Sequence, residues 1–96
     1  MTEKEKIGKQ ILKLRKKTPS SDYKNEHISQ QELADKNFGL TKYLIGTVER
    51  GEANPTLEKM ILLAKALNLK TIDLFGIEIN IDKFIKELEN EKMKKG

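Results

Sequence analysis

Ser29-Gln30-Gln31-Glu32-Leu33-Ala34, followed after a short break by Gly39-Leu40-Thr41-Lys42-Tyr43-Leu44-Ile45-Gly46-Thr47-Val48-Glu49-Arg50-Gly51, decides how the chain is read. Ser29 is placed to cap a helix, and Glu32 three residues later completes the spacing of a capping box. Leu33 and Ala34 give that helix a short apolar face, and it is expected to end near Asn37-Phe38-Gly39. Gly39 supplies the left-handed conformation that a sharp turn needs. Thr41 then caps a second short helix, predicted over 42–50 and stopped by Gly51. Leu44, Ile45 and Val48 recur on one side of it. Lys42, Tyr43, Gly46 and Thr47 fall largely on the other. Two short helices joined by a tight glycine-containing turn are the units of a helix-turn-helix. The first must cross the second closely, which calls for a small residue near the crossing, Ala34, and a flexible one in the turn, Gly39.

Upstream, Ile7, Ile11 and Leu14 recur at helical spacing and predict a helix over 4–17, ended by Thr18-Pro19. Residues 18–28 are polar and read as an excursion loop, with Tyr23 and His27 its only large side chains before Ile28. Downstream, Thr56 caps a helix predicted from Leu57 to about Asn68. Its face of Leu57, Met60, Ile61, Ala64 and Leu67 is the most apolar in the chain and is expected at the centre of the core. Thr71 is expected to cap a short fifth helix, Ile72 to Phe75, stopped by Gly76. Residues 77–81, Ile-Glu-Ile-Asn-Ile, alternate with period two and predict a half-buried strand. Its partner is either a second chain across a two-fold axis or the same domain. Ile81, Phe84, Ile85 and Leu88 then form the apolar face of a last helix, 82–94, with a charged end.

The chain has 96 residues, no cysteine and a formal net charge of +4. That length suits one small domain with a thin core, stabilised by packing alone because neither a disulfide nor a thiolate metal site is available. No apolar run is long enough for a membrane span, and the N-terminus has no apolar signal core, so a cytoplasmic protein is expected. The charge is uneven. Residues 1–17 carry Lys4, Lys6, Lys9, Lys13, Arg15, Lys16 and Lys17 against Glu3 and Glu5. Such a segment attracts polyanions by releasing their counterions, or else is simply a solvated helix face. No nucleophile with a base and no phosphate-cradling glycine loop is present, so no enzyme is expected. His27, the single histidine, has no neighbouring ligand set, and neither a metal nor a cofactor is expected.

Taken in order, Ile7 to Arg15, Ser29 to Ala34, Gly39 to Gly51, Asn54-Pro55-Thr56-Leu57, Ala64 to Leu69 and Asp73-Leu74-Phe75 resemble the phage-repressor type of helix-turn-helix, the XRE or lambda-repressor-like family. The resemblance implies an all-α, five-helix DNA-binding domain over 1–76, here with a strand/helix appendage over 77–96. It implies a dimeric, sequence-specific regulator, most simply a repressor, that reads a pseudo-palindromic operator in double-stranded DNA with helix 42–50. Thr41, Lys42, Tyr43, Gly46 and Thr47 occupy the positions that face the groove. Gln30, Gln31 and Asn54 fall where the backbone is held, and Lys9 and Lys13 are expected to add phosphate contacts. Arg15 and Glu49 match a pair that links the first and third helices.

Three departures from the family pattern stand out. The loop 18–28 is longer than the common spacing. The Ala34-to-Gly39 turn carries an extra residue, with Phe38 added. Residues 77–96 lie outside the family core and suggest a dimerisation element. A protein-binding module on the same fold, such as an antitoxin contacting a partner protein, is the alternative, and a restriction–modification controller is a further version of the DNA-binding reading.

Overall fold

The computed structural model describes residues 1–21 and 26–94. Residues 22–25 of the long loop, Tyr23 among them, lie outside the described residues. The order is α1 (Glu3–Lys16), α2 (Gln30–Lys36), α3 (Lys42–Glu49), α4 (Leu57–Ala66), β1 (Thr71–Leu74), β2 (Ile77–Asn80) and α5 (Ile81–Lys94).

Short polar side chains start the first four helices, because the leading N–H groups of a helix have no partner within it. Thr2 and Glu5 form a reciprocal box at α1, with Thr2 N donating to Glu5 Oε1 (2.9 Å) and Glu5 N to Thr2 Oγ1 (3.1 Å). Ser29, Thr41 and Thr56 each accept from the backbone N–H three residues on, at 3.0, 3.0 and 3.2 Å. Only half of the box expected at Ser29 forms. The Glu32 carboxylate turns instead to the long loop and accepts from Ser20 Oγ (2.6 Å) and Ser21 N (2.9 Å).

The C-terminal third departs from the all-α expectation. Thr71, expected as a cap, and Ile72 to Leu74 of the short fifth helix expected over Ile72 to Phe75 form strand β1 instead, so the fold is mainly helical with a β-hairpin. β1 and β2 pair antiparallel, with Ile72 opposite Ile79 and Leu74 opposite Ile77. The connection is two residues long, and both have positive φ, Phe75 at 55° and Gly76 at 79°. Two such residues in succession make the turn whose twist matches paired strands, and a helix cannot run through them. The β-branched Thr71, Ile72, Ile77 and Ile79 complete the preference for strand. Of the two partners left open for 77–81, β2 takes the one in its own chain. Ile81 leaves the strand and opens α5, with Asn80 Oδ1 accepting from Lys83 N (2.9 Å).

α4 is shared by two apolar clusters. On one side Leu63, Ala66 and Leu67 meet Leu33 of α2, Ile45 and Val48 of α3, and Ile28 and Leu40 from the flanking loops. On the other side Ile61 and Ala64 meet Ile81, with Ile72, Ile79, Phe84 and Ile85 against them. The 77–94 segment is thus packed on the same helix that backs α2 and α3. Two residues expected on buried faces are not enclosed: Ile7 is 51% exposed and Leu57 46%.

α1 meets α3 through Gly8, which is buried. A Cβ at this position would lie 2.6 Å from the Glu49 carbonyl oxygen and closer still to that of Val48. The obstruction is helix backbone and cannot rotate away. Gly8→Ala is therefore expected to destabilise the fold by roughly 2–4 kcal/mol, against the small gain Ala brings to an open helix site. Urea unfolding measures this, and a change within 0.5 kcal/mol in magnitude, about the spread of ordinary surface substitutions, would contradict the contact.

Candidate DNA interface

α3 is two turns long, and its two halves have different surroundings. Thr41, Lys42 and Tyr43 are exposed at its start, Tyr43 to 79%. Ile45, Gly46, Thr47 and Val48 are all buried. Thr47 therefore does not share the outward face expected for it. Its Oγ1 donates to the Leu44 carbonyl (3.0 Å), and its own carbonyl accepts from Glu52 N (2.9 Å) as the chain returns over this turn. With α1 seated on the Val48 and Glu49 backbone as well, the second turn is covered where the first is open.

Gly46 is covered for a different reason. Arg50, one turn further on, folds back across it, and its Nη1 lies 3.1 Å from the point where a Cβ on Gly46 would stand. Gln30 Oε1 lies at 3.4 Å from the same point. Arg50 Nε donates to both Glu52 carboxylate oxygens (3.1 and 3.2 Å). Gln30, Lys42, Tyr43, Gly46 and Arg50 together line an open hollow of about 300 Å³. Arg50 is not among the groove-facing positions that the resemblance implies. The signal was present as a long cation four residues after a glycine, since that spacing lies on one helix face.

Behind this surface lies the one buried ion pair among the described residues. Arg15 Nε donates to Glu49 Oε2 (2.6 Å) and Nη2 to Glu49 Oε1 (3.0 Å). Arg15 Nη1 donates to the Ile28 carbonyl (2.9 Å), and Gln30 Nε2 to Glu49 Oε1 (2.8 Å). The two charged side chains are 9% and 5% exposed. One network thus joins α1, Ile28 in the loop ahead of α2, α2 itself and α3. Every buried polar side-chain atom among the described residues has a partner. Gln30 is half-buried, and its Nε2 is engaged by the Glu49 carboxylate.

Gln31 is exposed and donates to Asp35 Oδ1 (2.8 Å). Arg15, Gln30, Gln31, Lys42 and His27 border one open recess of about 490 Å³. Lys9 and Lys13 are exposed along α1, and Asn54 is exposed on the loop after α3. Among the described residues none of these three, nor Lys42, forms an ion pair. No group of three or more His, Cys, Asp and Glu side chains converges on a common point among the described residues.

The Glu32 carboxyl is held well below its ordinary value, at about 2, by Lys36 first and then by Ser20 and Ser21. Lys36 Nζ lies 2.8 Å from Glu32 Oε2 and also donates to Ser21 Oγ. A depressed folded-state value stabilises the protein above the unfolded one and ceases to do so as pH falls through the folded one. The tether of the 20–21 segment to α2 is thus complete near neutrality and weakens only as pH falls from about 4.5 toward about 2. In NMR spectra the Ser21 amide is expected to titrate near the lower value, and Lys36→Ala to move that midpoint up. A midpoint at the ordinary carboxylate value in the unaltered protein would remove the tether.

Arg15→Met leaves the Glu49 carboxylate buried and unpaired, and is expected to cost roughly 3–5 kcal/mol. Replacing both partners, Arg15→Met with Glu49→Leu, is expected to recover much of that in thermal or urea unfolding, because no charge is stranded. Equal losses in the single and double variants would show that the pair is not the source of the effect.

A helix-turn-helix family model matches residues 23–75. Over 47 residues the chain is 51% identical to a control protein, C.SmaI, of Serratia marcescens, a match covering 48% of this chain and 55% of that protein. The chain thus spans just over half the length of this relative. No solved structure gives a significant match. The family match covers more than half of the chain, including both helices of the reading unit and the turn between them, and the chain belongs to the helix-turn-helix family of XRE type, whose members are DNA-binding transcriptional regulators.

Proposed function

We propose that the protein is a sequence-specific regulator of transcription that binds a pseudo-palindromic operator as a homodimer, with the first turn of α3 in the major groove of each half-site. The observation that carries this is the division of α3. Its second turn is locked to α1 and α2, while Lys42, Tyr43 and the returning Arg50 stand outward on the first. A rigid short helix with two cations and an aromatic at its open end fits the groove, where Lys and Arg donate to guanine O6 and N7 and an apolar edge meets a thymine methyl. Thr41 and Gly46 shape that end without projecting into it, and Thr47 is left out of the reading set. Gln31, Asn54, Lys9 and Lys13 flank it and are assigned to phosphates, a role that fixes register and supplies salt-dependent affinity. The two reading helices would lie about 34 Å apart, one turn of DNA. Likeness to a protein named as a control protein favours regulation, the restriction–modification controller included, over the antitoxin reading. Repression is the simplest outcome of covering a promoter.

Selection of bound fragments from random DNA, followed by gel shifts on the selected site, tests this. Lys42→Ala, Tyr43→Ala and Arg50→Ala are each expected to lower the preference for the selected site over random DNA by roughly 5- to 100-fold, as for loss of one base contact. Lys13→Ala is expected to weaken both by a similar factor and to flatten the salt dependence. Thr47→Val is expected to leave the preference unchanged. Unchanged preference in all three α3-face variants rejects the assignment.

A further inference from the structure

We infer that the hairpin turn is a plug and the cleft beside it a socket, and that two copies of this chain exchange them across a two-fold axis. This rests on the dimeric reading above and names its surface. Phe75 sits in the left-handed region, at φ 55°, where asparagine or glycine is the usual occupant of such a turn. Its ring is fully exposed. Neither the turn nor the core of this chain uses it, so its presence there points outward. Beside it runs an open cleft of about 540 Å³ between α1, α4, β1 and the loop at Ala53–Pro55. Ile7, Ile11, Leu14, Met60, Ile72 and Leu74 form its apolar walls. Leu74 precedes Phe75 in a tight turn, so Phe75 cannot enter its own cleft while the hairpin stands.

Leu74 lines the cleft and Phe75 follows it, so plug and socket adjoin. Across a two-fold axis each contact is made twice, so when one hairpin covers the opposite cleft the second does the same and the pair closes. Ile77, opposite Leu74, and Ile7 at the cleft are 61% and 51% exposed and extend the apolar surface around the contact. The charges complement each other. Asp73 and Glu78 face each other across the strands, an unfavourable pairing of like charges, and neither has an ion pair among the described residues. Lys4 at the lip of the cleft has none among them either. Asp73 also accepts from Gly76 N (3.1 Å) and itself lines the cleft, so Glu78 is the carboxylate that a second copy's hairpin, laid over the cleft, brings to that lysine.

Sedimentation equilibrium on the full chain across the micromolar range tests the exchange. Phe75→Asn removes the plug and puts a residue the turn favours in its place, so its dilute-solution melting temperature is expected to match or exceed the original. Ile7→Glu alters the socket at a half-exposed site. Each is expected to weaken the dimer constant at least about ten-fold, as for loss of a central interface anchor. Phe75→Asn is also expected to fill the two halves of the selected operator in separate steps while retaining base preference. A dimer unaffected by Phe75→Asn overturns the exchange and leaves the dimeric reading in place. A chain that stays monomeric both in solution and on DNA overturns both. Saturable uptake of a fluorescent apolar probe by a monomeric chain would assign the cleft to a small ligand and overturn the exchange as well.

Discussion

A guanidinium and a carboxylate, both almost out of reach of water, set the geometry on which the surface of this protein depends. Burying two charges is costly unless they meet well and their remaining hydrogen-bonding capacity is filled. Arg15 and Glu49 meet through two bonds, Ile28 takes a third donor of the arginine, and Gln30 fills the carboxylate's open side. Each of these bonds is directional. The network therefore does what apolar packing cannot: it admits one rotation of α3 about its own axis relative to α1 and α2. Leu33, Ile45 and Leu63 supply the cohesion, and the ion pair supplies the orientation.

That division explains which features were readable from the chain. Caps at Ser29, Thr41 and Thr56 depend on a side chain and a backbone group three residues apart, so their spacing is visible in one dimension. The Arg15–Glu49 pair came through resemblance and not through any local signal, since 34 positions separate its members. The hairpin was half-read. Alternation at 77–81 was plain, whereas the partner strand at 71–74 was masked by Asp73-Leu74-Phe75, which the resemblance suggested as the end of a short helix. Two positive φ values decided the matter, and one of them belongs to a phenylalanine, a residue that ordinarily argues against such a turn.

At the surface, Thr47 is buried where its periodicity points outward, because helical periodicity assigns a direction and not a depth. It lies close in angle to Tyr43, yet α3 is so short that α1 and the returning loop enclose its second turn. Arg50 departs from its sequence pattern for the converse reason. It ends the helix by sequence, but the missing side chain at Gly46 lets it reach back over the open face. Glu32 shows a third kind of limit. Its spacing from Ser29 is that of a capping residue, and the long loop, which no local pattern locates in space, takes its carboxylate instead.

Gly8 carries a consequence for how such a surface can change over generations. Where helices touch through side chains, a larger or smaller residue re-angles one against the other, and specificity can drift by tilting the reading element. Here α1 rests directly on the carbonyls of Val48 and Glu49, with no side chain between to vary. The platform is therefore closed to gradual adjustment. On the proposed reading, new binding preferences arise by exchanging the outward residues at 42, 43 and 50 one at a time, on a frame that stays still. A protein built this way evolves by substitution at its tips and not by repositioning its helices.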